Sequence, residues 1–66
     1  MKVLEFEALK GEKGIGFSRG QIWRRVRAGT FPKPIKIGAN RNAWVEDEIE
    51  AWLEGLKAAR DQVRRK

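Results

Sequence analysis

The most regular pattern in the chain lies near its C-terminal end. Ile49, Trp52, Leu53, Leu56 and Ala59 recur at i, i+3, i+4, i+7 and i+10, one apolar stripe of an amphipathic helix. Acidic residues crowd its start, and Lys57, Arg60, Arg64 and Arg65 its end, the order the helix macrodipole favours. Past Ala59 the stripe weakens to Val63 alone, so residues 61–66 are expected to fray.

A second helix is marked by its ends. The Ser18 hydroxyl can accept from the amide three residues on while the Gln21 side chain reaches back to the Ser18 amide, a capping box. Gly29 stands where a left-handed stop is wanted. Between them Ile22 and Val26, one turn apart, face the core. The segment is about eleven residues long, or roughly 16 Å. The period then changes. Pro32 and Pro34 hold the chain extended, and Ile35-Lys36-Ile37 and Ala43-Trp44-Val45 read as two strands around the turn "GANRN". Ile35 and Ile37 share one strand face and Lys36 takes the other.

Toward the N-terminus, Lys2 to Phe6 alternates polar and apolar, a short strand or extended lead-in. Glu7 to Lys10 forms one helical turn, halted by the glycines of "GEKGIG", with Ile15 and Phe17 anchoring that loop. Trp44 and Trp52 belong to the core. Trp23, on the border, is assigned there too, with its indole N–H left for phosphate. The order of elements is that of a small winged helix-turn-helix. The expected fold is α+β, mostly α, with a two-stranded wing and a C-terminal amphipathic helix in one domain, residues 1–66.

Composition narrows the chemistry. A chain of 66 residues buries a thin core and has no room for a deep cleft beside it. It contains no Cys and no His, so disulfides, thiolate metal sites and the usual neutral-pH proton shuttle are missing. No catalytic residue, metal or cofactor is expected, and the chain is read as no enzyme. Without a signal peptide, membrane span or lipidation motif, a cytoplasmic, nucleoid-associated bacterial protein with no membrane partner is expected.

Charge changes the picture most. The net charge is +6, and Lys13 to Val45 holds eight Lys or Arg without one acid, whereas Glu46, Asp47, Glu48, Glu50 and Glu54 follow within nine residues. "SRGQIWRRVRAG" alone carries four arginines. Like charges so concentrated repel one another, so the counter-charge is expected from a polyanion. With Ile22 and Val26 inward, at about 100° per residue, Gly20, Arg24 and Ala28 lie opposite, Gln21 and Arg25 on one shoulder and Arg27 on the other. Such a helix fits the major groove, where Arg can grip guanine and Gln adenine through paired hydrogen bonds.

Arg24, projecting farthest, is the reader of base edges, and Gln21 is divided between capping box and base. Ser18 and Arg19 stand at the helix start, which favours phosphate. Arg25 and Arg27 flank the face and meet phosphate, and Gly20 lets a DNA backbone come close or is merely a small exposed residue. In the wing, Asn40 and Arg41 reach the minor groove or phosphate, with Lys33 and Lys36 supporting them. The alternative for Asn40, and the preferred reading for Asn42, is turn chemistry through left-handed backbone. RNA is the lesser alternative for a basic chain: RNA modules display exposed stacking aromatics, and most of the tryptophans here read as core.

These residues resemble the phage regulatory proteins of the AlpA type, relatives of the excisionases with a MerR-like winged helix. The resemblance runs from about Leu4 to Arg60 and is carried by "GFSRGQIWRRVRAGTFPKPIKIG" and "NAWVEDEIEAWL". Two features depart from the usual pattern: Gly20 replaces a small hydroxyl residue, and "KGEKGIG" is longer than the common turn. The resemblance implies double-stranded DNA as partner, near attachment sites or promoters of mobile elements. It places the Ser18–Ala28 helix in the major groove and the Gly38–Asn42 wing at the minor groove. It implies an excisionase, or recombination directionality factor, a transcriptional regulator, or both, acting by occupying and bending DNA. An integrase is then a partner, and bending at about 1–6 kcal/mol per short site calls for cooperative self-association. The alternatives are a plain repressor or activator and a protein-interaction module using the acidic third helix.

Overall fold

The computed structural model describes residues 1–63. The elements in chain order are β1 (Val3–Glu5), α1 (Phe6–Lys13), α2 (Arg19–Ala28), β2 (Ile35–Gly38), β3 (Arg41–Val45) and α3 (Glu46–Val63). The strands form one antiparallel sheet in the order β1-β3-β2. This is the expected α+β winged helix-turn-helix, its two-stranded wing formed by β2 and β3; of the two readings of the lead-in, strand or extended segment, the strand holds. The lead-in is a third strand, pairing Val3, Leu4 and Glu5 with Val45, Trp44 and Ala43. Three alternating residues are too few to declare a strand; burial of Leu4 beside its partner Trp44 supplies what periodicity did not.

The first helix is also longer than the single turn expected. It runs through Gly11 and stops at Gly14, whose φ of +70° is the left-handed conformation that favours glycine. One interior glycine costs about 1 kcal/mol, and burial of a leucine recovers about 1.5–3 kcal/mol; Leu9 is fully buried. The Ile15 amide donates to the Leu9 carbonyl at 3.0 Å, and Ile15 is itself buried. Only Gly14 to Ser18 is left to connect α1 to α2.

Helix α2 has the expected ends. The Ser18 Oγ accepts from the Gln21 amide at 3.2 Å and the Gln21 Oε1 from the Ser18 amide at 2.9 Å. At the far end Gly29 has φ +82°. Its amide donates to the Val26 carbonyl, and the Thr30 amide to that of Arg25. Ile22 is buried and Val26 packs at the edge of the core.

Leu4, Leu9, Ile15, Ile22, Phe31, Trp44 and Ile49 make that core. Phe31, in the loop after α2, lies edge-on to Trp52 with centroids 4.7 Å apart and to Trp44 at 6.0 Å. Each tryptophan also fixes the backbone beside it: Trp52 Nε1 donates to the Thr30 carbonyl and Trp44 Nε1 to the Pro32 carbonyl, both at 2.8 Å. The loop between α2 and the wing is therefore pinned at three consecutive residues.

The hairpin differs from its expected alternation. Strand β2 is exposed along its length, and a bulge between Lys36 and Gly38 leaves Ile37 without a ladder partner. Ile35 and Ile37, each 40% exposed, add little to the core. Asn42, expected in the turn, pairs with Lys36 inside the ladder, and no non-glycine residue described has positive φ. Helix α3 runs to Val63, and the part of the expected fraying that falls on residues 64–66 lies outside the described residues. Its stripe outruns the core: Ile49 is buried, Trp52 and Leu53 pack against it, and Leu56 is 51% exposed.

Ion pairs join the start of α3 to the end of α1. Lys13 bonds Glu46 at 3.1 Å and also Glu50, and Lys2 bonds Glu12 at 2.9 Å and lies 3.8 Å from Glu46. The hydrogen bond from Lys13 holds the Glu46 carboxyl below its ordinary value. Its contribution to stability is thus complete above the unfolded value of about 4.3 and is lost as pH falls through the lower folded value. Glu46→Gln should flatten the loss of stability below that pH in urea titrations; an unchanged acid limb would contradict the assignment.

Two further expectations concern helix α2 and the loop behind it. Phe31→Ala should cost about 3–5 kcal/mol, a large part of the stability of a small domain, read from denaturant midpoints. Gly29→Ala should cost about 1–2 kcal/mol, whereas Gly20→Ala, whose methyl would meet nothing within 4 Å, should not destabilise. Equal losses at the two glycines would disprove the left-handed stop.

Candidate nucleic-acid interface

Helix α2 presents its cations because its apolar residues occupy only one side. Arg24, Arg25 and Arg27 are exposed, and among the described residues none has a carboxylate within ion-pair distance. Arg24 and Arg25 bound a shallow concavity with Gln21, Ala28 and Thr30. The Arg25 guanidinium lies over the Phe17 ring at 4.1 Å, which steers it without cancelling its charge. Gln21 is committed at its amide oxygen to the capping box, so only its amide nitrogen is left for a base. Around Gly20 the space is open.

The wing stands beside the start of this helix. A cleft of about 140 Å³ is lined by Arg19 and Trp23 from α2, by Asn40 and Arg41 from the wing, and by Glu5 and Glu7 from the β1–α1 junction. Lys33 and Lys36 are exposed and stand outside this cleft. Ser18 lies at its helix cap, with its hydroxyl engaged there. Trp23 corrects the core assignment: it is 39% exposed, packing tilted against buried Trp44 at 6.2 Å. Ile22 and Val26 already fill the inward positions, leaving the larger ring on the rim.

Two expected contacts are not free cations. Arg41 donates to Glu5, and that hydrogen bond raises the Arg41 pKa above its ordinary value. Arg19 lies over the Phe6 ring at 4.3 Å and 3.9 Å from Glu7. Lys13, within the basic stretch of sequence, is spent on α3. The sequence reading missed Glu5 and Glu7, the two acids of the cleft. Nothing along the chain marks them, because the β1–β3 register brings Glu5 to Arg41.

The interface is thus a capped helix with arginines on its outer face, a wing at its N-terminal end, and a cleft between them with arginine on both walls. No described helix is long and apolar enough to cross a membrane. The family profile described as "Prophage CP4-57 regulatory protein (AlpA)" matches residues 9–56, from within α1 to the middle of α3. "Uncharacterized protein ORF88" of Enterobacteria phage P4 is 38% identical over 45 residues, covering 68% of this chain. The chain spans about half of that relative's length, the alignment covering 51% of it. No solved structure gives a significant match. With the profile covering well over half of its residues, the whole of α2 and the wing among them, the chain belongs to the AlpA family of prophage regulatory proteins.

Proposed function

We propose that the protein is a sequence-specific double-stranded DNA-binding regulator of a prophage or integrative element. It works in the bacterial cytoplasm on the nucleoid and performs no catalysis. The observation that carries this reading is the outer face of α2, where Arg24, Arg25 and Arg27 stand exposed with no acid among the described residues within ion-pair distance. A helix of this diameter enters the major groove. Arg24 reads a base pair there, with Gly20 and the nitrogen of Gln21 beside it. Arg19, Arg25, Arg27 and Trp23 hold phosphates, and Ser18 keeps the helix start in register. Asn40 and Arg41 lie at the adjoining minor groove, with Lys36 and Lys33 along the backbone. Family membership supports a regulatory role.

The finer reading is architectural. Occupying and bending DNA would let the protein act as an excisionase beside an integrase, as a transcriptional regulator, or as both. Bending a short site costs about 1–6 kcal/mol, more than one module of 66 residues supplies alone, so two or more protomers bind side by side or integrase assists. Footprinting on the native site should show adjacent protomers on bent DNA; one isolated protomer on straight DNA leaves a plain repressor.

With about five to seven phosphates contacted, log affinity should fall with log salt at a slope of about −5 to −6. A slope near zero contradicts DNA binding by this surface. Arg24→Ala should cost about 1–3 kcal/mol and relax preference at one base pair, whereas Arg41→Ala should weaken binding without shifting preference at any one base pair. A base-specific loss at Arg41 would reverse these roles.

A further inference from the structure

We infer that Glu5 occupies, in the free protein, the place of a DNA phosphodiester at Arg41, and that duplex binding exchanges one anion for the other in the cleft between α2 and the wing. This inference rests on the DNA reading above and names a phosphate seat within it.

The position of Glu5 is the first ground. It is the residue preceding α1, and its carboxylate makes no capping bond to the free helix amides there, so it is not held by the helix start. It reaches Arg41 instead. The strand register makes this possible: Glu5 lies opposite Ala43, so Arg41, two residues along β3, projects from the same sheet face within diagonal reach.

The second ground is what the pair is worth. Glu5 and Arg41 are 45% and 62% exposed at their side chains, and an ion pair so open to water contributes little to stability. Its effect falls instead on whatever anion enters the cleft. A carboxylate and a phosphodiester each carry one negative charge and offer a guanidinium two acceptor oxygens, so Arg41 can pass from one to the other. The opposite wall repeats the device more weakly, with Glu7 beside Arg19.

The third ground is geometry. A backbone strand lying between a helix in one groove and a wing in the next passes through the cleft that Arg19, Trp23, Asn40 and Arg41 line. A phosphate there meets two arginines and two acids. It must displace Glu5 to bind, so loosely placed backbone is rejected while backbone held by base contacts is accepted. Glu5 therefore lowers affinity for arbitrary sequence and raises discrimination.

The test uses the full chain and a random-sequence duplex. Glu5→Gln should tighten binding about three- to ten-fold and steepen the salt slope by about one unit. Glu48→Gln makes the same change of net charge on exposed α3 and should tighten binding less than about two-fold, as a distant screened charge does. In an Arg41→Gln background the gain from Glu5→Gln should vanish, because no guanidinium is left to release. A gain equal to that of Glu48→Gln, or one that survives without Arg41, overturns the exchange while leaving DNA binding intact. Absence of salt-dependent duplex binding by the unaltered protein overturns the DNA reading, and the exchange with it.

Discussion

Phe31 sits edge-on between Trp44 and Trp52, and the two indole N–H groups grip the carbonyls on either side of it. This clamp ties three elements together: the loop that follows α2, the middle strand of the sheet and α3. Because α2 ends at Gly29, the clamp begins one residue beyond the helix and sets how the chain leaves it. The prolines that follow then carry it stiffly into β2. The distance between the arginine face of α2 and the wing is therefore a property of the core. Little flexible chain separates the two surfaces proposed to straddle DNA.

Electrostatics follows from the same arrangement. Helix α3 places Glu46 and Glu50 of its acidic start against Lys2 and Lys13, so these two acids are occupied at the junction with α1. Among the described residues no carboxylate lies within ion-pair distance of Arg24, Arg25 or Arg27, so the charge on the outer face of α2 is left unneutralised. The exceptions lie in the cleft, where Glu5 and Glu7 meet Arg41 and Arg19. A surface meant only to attract polyanions would gain by omitting them. In the reading proposed above, acids placed against these two arginines temper attraction in favour of fit, the balance a sequence-reading regulator needs among many competing sites.

Much of this was legible along the chain. The capping box, the glycine that ends α2, the stripe of α3 and the segregation of charge are local patterns, governed by residues within a few positions of one another. The arginine face of α2 followed from helix geometry once Ile22 and Val26 were set inward. The resemblance to AlpA-type proteins came from the same local runs, and the family match agrees with it. What was left open or went astray depended on partners distant in sequence. Strand β1 pairs with β3 where Leu4 lies opposite buried Trp44, and α1 continues through Gly11 to Lys13, which reaches Glu46 and Glu50 of α3. Trp23 was assigned to a core that Ile22 and Val26 had already filled.

The amino-acid order by itself determined a capped cationic helix, a turn-rich hairpin and an amphipathic third helix, because caps, glycine stops and periodicity act over one or two turns of chain. Tertiary structure alone decided that Phe31 would be the hinge-pin of the wing, that the sheet would have three strands and that Arg41 would face Glu5. Those outcomes depend on which side chains meet across strand registers and packed helices, and spacing along one chain does not encode which distant neighbour wins.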